Sequence, residues 1–366
     1  MTFLTTINKY SSFDFKGYFR NVTGKEIRRS LEKKKLTAGD LLNLLSPQAT
    51  DFLEEMAIKS QQLTRRFFGR TISLYAPLYI SDYCSNHCTY CGFNHTRSFP
   101  RKRLSLAEIE REAAIIAASG IRHILILTGE APEKTPISYL QDAVTVLKRY
   151  FASIALEIFP MDTQDYRILR RAGADSLTVY QEVYDRDIYR EVHPAGRKRN
   201  YEYRLLTPER GAEAGFRAIN IGTLFGLGNV RSEAFFAALH GHFLQQNFPE
   251  VEISLSLPRI TKDNTRAGNF LPDRQFVQTM LAWRLFLPRL GITISTREAP
   301  AFRDRLLHLG ATRFSAGSRT DVGGYSQPGS STVQFEITDE RSVAEIAEMI
   351  RENGYQPVFK DWEPLQ

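Results

Sequence analysis

The sequence predicts an α/β fold, a (β/α)8 barrel of the TIM type with a helical extension at its N-terminus. Two observations carry this. From residue 71 onward, eight short β-rich runs alternate with amphipathic stretches at helical spacing. The runs are apolar almost throughout, as strands of a parallel sheet covered on both faces tend to be. An open doubly wound sheet is the competing architecture, and the count of eight favours closure.

Taken in order, residues 1–70 read as a helical extension, in which 26–35, 38–46 and 52–68 carry apolar positions at helical spacing. Thr37 and Ser46 (ahead of Pro47) are expected N-caps. The barrel with its C-terminal tail is assigned to 71–366. Its strands are expected at 72–80, 123–129, 154–160, 176–182, 218–226, 251–258, 292–298 and 313–318. Helices are expected at 106–120, 136–151, 161–173, 201–215, 232–246, 273–287 and 300–310. Gly120, Gly173, Gly215 and Gly310 close four of these, as glycine does where a helix ends in a left-handed residue. Segments 190–200 and 261–269 follow strands and read as mobile rim loops, and 355–364 reads as an extended piece packed on the barrel.

Composition narrows the class. Hydrophobic residues make up 42% and charged residues 24% of the 366, as in a globular enzyme. The net charge of +7 is spread over short separate groups at 33–35, 97–103 and 197–199, which is no nucleic-acid stripe. No apolar run is long enough for a membrane span, and the first residues lack the order of a signal peptide. The expected setting is cytoplasmic, with neither nucleic acid nor membrane as partner.

The only cysteines, Cys84, Cys88 and Cys91, fall in one loop after the first strand. Thiolates are soft ligands for iron–sulfur clusters or zinc. A [4Fe–4S] cluster ordinarily takes four of them, so three leave one iron open to bind a substrate. Two other readings stand on the residues alone. One is a buried cysteine face on a helix, against which polar Ser85, Asn86, His87 and Thr89 argue. The other is a Cys3His zinc site using His87 or His95, although zinc ligands usually come in two spaced pairs.

In an α/β barrel, reactive groups belong at the C-terminal strand ends. The polar residues there are Thr128-Gly129-Glu130, Glu157, Gln181-Glu182, Arg259, Arg297-Glu298 and Ser315. Any one of them could be a cap or loop residue. With a three-thiolate loop at the same rim they describe a charged cavity. No phosphate-binding glycine loop is present: Gly226-Leu227-Gly228 lacks a third glycine.

The spacing C-x3-C-x2-C, with Tyr90 before the last cysteine and Gly92-Phe93 after it, resembles the motif of radical S-adenosylmethionine enzymes. More narrowly the chain resembles the 2-iminoacetate synthases, tyrosine lyases of thiamine biosynthesis. The blocks that carry the likeness are LLSP (44–47), YAPLYISDYC (75–84), TGE (128–130), VYQEVY (179–184), STRE (295–298), FRDRL (302–306), GGY (323–325) and KDW (360–362). They span nearly the whole chain.

The resemblance implies a radical S-adenosylmethionine barrel and assigns roles. Cys84, Cys88 and Cys91 would hold three irons of a [4Fe–4S] cluster, and S-adenosylmethionine would chelate the fourth. Tyr90 would lie by the adenine, and Gly129 and Glu130 would face the methionyl ammonium. Glu182 would bond the ribose, Gln181 would also contact S-adenosylmethionine, Arg204 would pair with the methionyl carboxylate, and Ile221 on strand five would touch the adenosine. For the amino-acid substrate, Arg297 is the expected carboxylate fork, with Ser315 and Ser318 adding hydrogen bonds. Arg303 is the rival for that contact, although it reads first as a helix-surface arginine.

The reaction implied begins with reductive cleavage to a 5′-deoxyadenosyl radical. That radical takes a hydrogen atom from the amino group of L-tyrosine, and the Cα–Cβ bond then breaks to give 2-iminoacetate and p-cresol. A thiazole synthase and a low-potential reductant of the flavodoxin type are the implied protein partners.

The rival readings are weaker. The hydrogenase-maturation tyrosine lyases need further C-terminal cysteines, and no cysteine follows Cys91. Tryptophan lyases, biotin-synthase-like enzymes and deazaflavin synthases share the cluster but not these blocks. A non-catalytic electron-transfer module would have no use for a charged barrel cavity. A radical tRNA-modifying enzyme would bring an added RNA-binding domain.

Overall fold

The computed structural model describes residues 2–260, 269–329 and 331–360. Its centre is a ring of eight parallel strands: β1 (Thr71–Ser81), β2 (His123–Thr128), β3 (Ser153–Glu157), β4 (Ser176–Glu182), β5 (Ala218–Thr223), β6 (Glu252–Ser256), β7 (Gly291–Ile294) and β8 (Arg313–Ser315). Each strand pairs with the next, and β1 pairs with both β2 and β8, so the barrel is closed. A ninth strand, β9 (Gln356–Val358), pairs with Thr71–Ser73 at the start of β1. This is the extended piece expected in the tail. Of the KDW block, Asp361 and Trp362 lie outside the described residues.

Before the barrel come helices Phe3–Asn8, Phe15–Asn21, Gly24–Glu32, Ala38–Leu45 and Leu53–Phe68. Thr37 caps its helix through a reciprocal pair with Asp40. Ser46 does not cap: its hydroxyl donates to Asn43 O, and the short 3-10 turn after it starts on Pro47. This region is fixed to the barrel's outer helices by buried Gln278, whose amide donates to Leu44 O and Ser46 O. A buried amide with two backbone acceptors locates one helix against another more sharply than apolar contact does.

Two expectations change. The single helix expected over 201–215 is two, Tyr201–Leu205 and Thr207–Glu213, because Pro208 has no N–H to continue the first. Segment 190–200 is held, not mobile. Helix Arg186–Val192 runs into it, and three hydrogen bonds tie its continuation to the cysteine loop: His87 N to Ala195 O, Thr89 N to Val192 O, and Lys198 N to Asn86 Oδ1. The other segment expected to be mobile, 261–269, lies outside the described residues up to 268. The structure also adds helix Val343–Glu352, started by a Ser342–Glu345 capping box.

The barrel interior is polar in its lower half. Asn220 on β5 bonds the hydroxyls of Ser254 and Ser256 on β6 and approaches the phenol of Tyr180 on β4. Strand alternation therefore turns Ile219 and Ile221 outward into the core between sheet and helices. The Ile221 side chain lies in that core, so a contact with the adenosine would fall to its backbone.

Candidate active site at the barrel mouth

The cysteine loop leaves β1 and folds over the mouth. Ser85 N–H donates to Glu130 O, and a side chain at Gly129 would meet Tyr83 O at 2.4 Å, so only glycine lets the loop lie on the end of β2. At Gly92 the same approach is made by the carbonyls of Val333 and Gln334. Cys88 is buried, while Cys84 and Cys91 are partly exposed.

The donor set suits bound thiolates. Asn86 N–H points at Cys84 Sγ (3.5 Å), and Phe93 N–H at the Cys91 sulfur. Burial pushes the Cys88 thiol up to about 12, with Lys198 opposing, so a metal that binds its sulfur must displace the proton. Among the described residues no three His, Cys, Asp or Glu side chains converge on a single ion position. Thiols spread around a loop fit a cluster that takes one thiolate per iron. His87 and His95 stack on each other instead, with ring centroids 5.6 Å apart.

Beside this loop lies a set of paired charges. Glu182 accepts from Lys198 Nζ (2.6 Å) and Arg204 Nη2 (3.4 Å). Burial alone would raise its pKa, but Lys198 and Arg204 hold the carboxyl below the usual range. Arg204 Nε also donates to Tyr180 O. Glu182 has φ 70°, the one non-glycine residue with positive φ among the described residues, and it sits where the register of β4 against β5 shifts. A strained residue held by two cations at a strand end is a mark of function. Asn86 Nδ2 donates to Glu130 Oε2 (2.7 Å). Tyr90 donates its phenol proton to His193 Nε2 (2.7 Å), since His193 Nδ1–H is committed to Tyr189 O. A groove runs past Glu130, Lys198 and Arg204. Gln181 is buried, and its amide and the Thr128 hydroxyl have no hydrogen-bond partner among the described residues.

Deeper in the mouth is a second, smaller space. Tyr75, Tyr79, Glu157, Tyr180 and Arg297 line it, with Phe335 and the hydroxyls of Ser315 and Ser318. The Arg297 guanidinium lies 3.4 Å from the centre of the Phe335 ring and forms no ion pair among the described residues. Ser315 accepts from Thr296 N–H, while Ser318 Oγ is buried without a partner. Glu157 makes no ion pair there either; burial first, and then the charge of Glu182, raise its carboxyl to about 7, with Arg297 opposing.

The structure therefore brings together Cys84, Cys88, Cys91, Tyr90, Glu130, Glu182 and Arg204 on one side of the mouth, and Arg297, Ser315 and Ser318 on the other. Arg303 is not a surface arginine. It is fully buried, ion-paired with Asp339, and donates to Ser315 O, so it props the end of β8. Arg259 and Glu298, two strand-end candidates, pair with each other. Residue-by-residue reading missed Lys198, Asn86 and His193. Lys198 stands between Arg197 and Arg199 in a run that reads as surface charge; its side chain turns in to Glu182.

Comparison with known proteins agrees with this geometry. Residues 78–235 match the model of the Radical SAM superfamily, and 251–356 that of the Biotin and Thiamin Synthesis associated domain. The chain is 38% identical to the 2-iminoacetate synthase of Escherichia coli (strain K12) over 344 residues, 93% of this chain and 91% of that one. It is 37% identical to the 2-iminoacetate synthase of Salmonella typhimurium over the same shares. Among solved structures, the FeFe-hydrogenase maturase HydG from Carboxydothermus hydrogenoformans superposes with a TM-score of 0.83 at 30% identity, covering 97% of this chain and 82% of that one. Methylornithine synthase shares the fold, with a TM-score of 0.71 at 20% identity over 91% of this chain and 97% of that one.

Proposed function

The chain belongs to the 2-iminoacetate synthase family of radical S-adenosylmethionine enzymes, and from that premise we propose that it cleaves the Cα–Cβ bond of L-tyrosine to 2-iminoacetate and p-cresol, supplying the thiazole moiety of thiamine. It is a carbon–carbon lyase that uses a [4Fe–4S] cluster and S-adenosylmethionine, with a reductant to drive it. The observation that supports the substrate best is the unpaired Arg297 in a tyrosine-lined space beside the three-cysteine loop.

Cys84, Cys88 and Cys91 would hold the cluster, and Glu130, Glu182, Arg204 and Tyr90 the S-adenosylmethionine. When bound, that pair supplies a carbon radical that takes a hydrogen atom from the substrate. The rest falls to the chain. Arg297 presents a planar fork to the substrate carboxylate, flat against Phe335, and Ser315 and Ser318 offer hydroxyls beside it. The rings of Tyr75, Tyr79 and Tyr180 give the space an apolar wall suited to a phenol side chain. Burial keeps these phenols neutral, because it holds the pKa of each above its ordinary value. The covered mouth excludes water from a reactive intermediate.

The finer assignments stand on the same reading. Thiazole synthase takes up the hydrolysable 2-iminoacetate, and a flavodoxin-type protein delivers the electron. The enzyme acts in the cytoplasm, in keeping with three free cysteines in a reducing compartment and with no described helix long and apolar enough to cross a membrane. Residues 1–70 form the helical extension and 71–366 the barrel with its tail.

The test is anaerobic turnover of the cluster-reconstituted protein with S-adenosylmethionine, dithionite and L-tyrosine. Equal yields of 5′-deoxyadenosine and p-cresol are expected. 5′-Deoxyadenosine without p-cresol would overturn the substrate, and neither product from a cluster-loaded sample would overturn the activity.

A further inference from the structure

L-Tyrosine enters as a zwitterion, and its ammonium nitrogen has no lone pair. Loss of a hydrogen atom from –NH3⁺ leaves a cation radical, whereas loss from –NH2 leaves a neutral aminyl radical, which opens the Cα–Cβ bond directly to the neutral imine. The reaction proposed above therefore needs a base for one ammonium proton before the hydrogen atom is taken.

The mouth offers few. Glu182 is held by Lys198 and Arg204, Glu130 by the Asn86 amide, and Glu298 by Arg259. His193 is pushed down to about 2 by burial, and Tyr90 occupies its Nε2. Glu157 remains. It ends β3, opens into the substrate space that Arg297 also lines, and has no hydrogen-bond or ion-pair partner among the described residues. The groups that face it are Tyr75 and Tyr79 from β1, Tyr180 and Glu182 from β4, and Arg297 from the turn after β7, with Lys198 and Arg204 behind Glu182. Leu125 and Leu127 of β2 complete the surround without charge.

Resting on the tyrosine-lyase reading, we propose that Glu157 is a catalytic base: it binds the substrate ammonium opposite the Arg297–carboxylate contact and takes one proton from it. In this step one N–H bond of the ammonium breaks heterolytically and one O–H bond forms on the Glu157 carboxylate. Neutral amine and neutral carboxylic acid result, with no electron transferred. Two charges vanish inside a space of low polarity, which favours the transfer. A carboxyl that titrates near neutrality is suited to accept a proton at the working pH and to release it afterwards.

The test compares wild type, Glu157→Gln and Glu157→Asp, each cluster-loaded, for p-cresol formation from pH 6 to 9. Wild type should show kcat/KM for tyrosine rising through about pH 7, as the free carboxyl ionises, to a plateau. Glu157→Gln should lose about 100-fold or more at pH 7.5, the usual scale of a missing general base. Its residual rate should climb with pH towards the substrate's own ammonium ionisation, with the limb near 7 gone. Glu157→Asp should keep that limb at a reduced rate. S-adenosylmethionine should still perturb the EPR signal of the reduced cluster in all three, which shows that the cofactor side is intact. A Gln variant within threefold of wild type, or one that keeps the limb near 7, would overturn the proposal while leaving the tyrosine lyase standing. A wild type that makes no p-cresol would instead bring down the substrate on which it rests.

Discussion

The two sides of the barrel mouth are built on opposite principles. On the cysteine side the polar groups are already partnered: Lys198 and Arg204 pair with Glu182, Asn86 bonds Glu130, and Tyr90 bonds His193. On the other side Arg297 and Glu157 have no ion-pair partner among the described residues, and Ser318 is buried without a hydrogen-bond partner. The cysteine-side groups are fixed against one another before anything binds. Arg297, Glu157 and Ser318 are left for a ligand to satisfy, at a cost in desolvation. The two sides touch through Glu182, whose charge helps raise the carboxyl of Glu157.

The comparison can be broken most severely at its first term. Cys88→Ala should abolish the cluster's visible absorption and all turnover, because a loop with two thiols cannot hold three irons; an active, cluster-loaded variant would end the ligand assignment. Next comes Arg297→Lys. Lysine keeps the charge but not the fork, so p-cresol formation should fall about a hundredfold, the scale of a damaged buried charge contact. The S-adenosylmethionine effect on the cluster's EPR signal should persist. Loss of both together would show that the two sides are not separable.

Lys198→Met sharpens the other half. With one of its two cations gone, Glu182 should hold the cofactor less well. The KM for S-adenosylmethionine should rise about tenfold while kcat changes little, a shift of roughly 1.4 kcal/mol. An unchanged KM would return Lys198 to the surface run from which its sequence neighbours suggest it comes.

The smallest effect is on stability. Glu157 and Glu233 both have carboxyls raised to about 7, chiefly by burial. A raised folded-state pKa means the native protein binds the proton more tightly than the unfolded chain. The contribution is thus fully present below the unfolded carboxylate range and is lost as pH rises through about 7. The unloaded protein should lose a few kcal/mol between pH 5 and pH 8, on the order of 1–3 kcal/mol per carboxyl, read as a falling urea midpoint. Glu157→Gln and Glu233→Gln should each flatten that slope. Unaltered slopes would mean that water reaches these carboxyls.

What was legible in the sequence follows the same division. The strands were readable because each carries its own apolar run, and the cysteine loop because its spacing is local. Arg297 stood out because it ends a strand run. Lys198, Asn86 and His193 were not legible: each acts through a partner far along the chain, as Lys198 does across 16 residues to Glu182 and His193 across 103 to Tyr90. Arg303 misled because its helix pattern is amphipathic while its true partner, Asp339, comes from 36 residues away. Segment 190–200 looked loose for want of local periodicity, yet hydrogen bonds to the cysteine loop hold it. For Ile221 the strand was legible but the facing was not: the side chain that bonds across the barrel interior is that of Asn220.

The most direct test is single turnover of wild type in D2O with L-tyrosine, S-adenosylmethionine and dithionite, with mass analysis of the 5′-deoxyadenosine. The amino group then carries deuterium. One deuterium per 5′-deoxyadenosine, in step with p-cresol, is the result the account predicts. Unlabelled 5′-deoxyadenosine would show that the hydrogen atom comes from carbon and would contradict it.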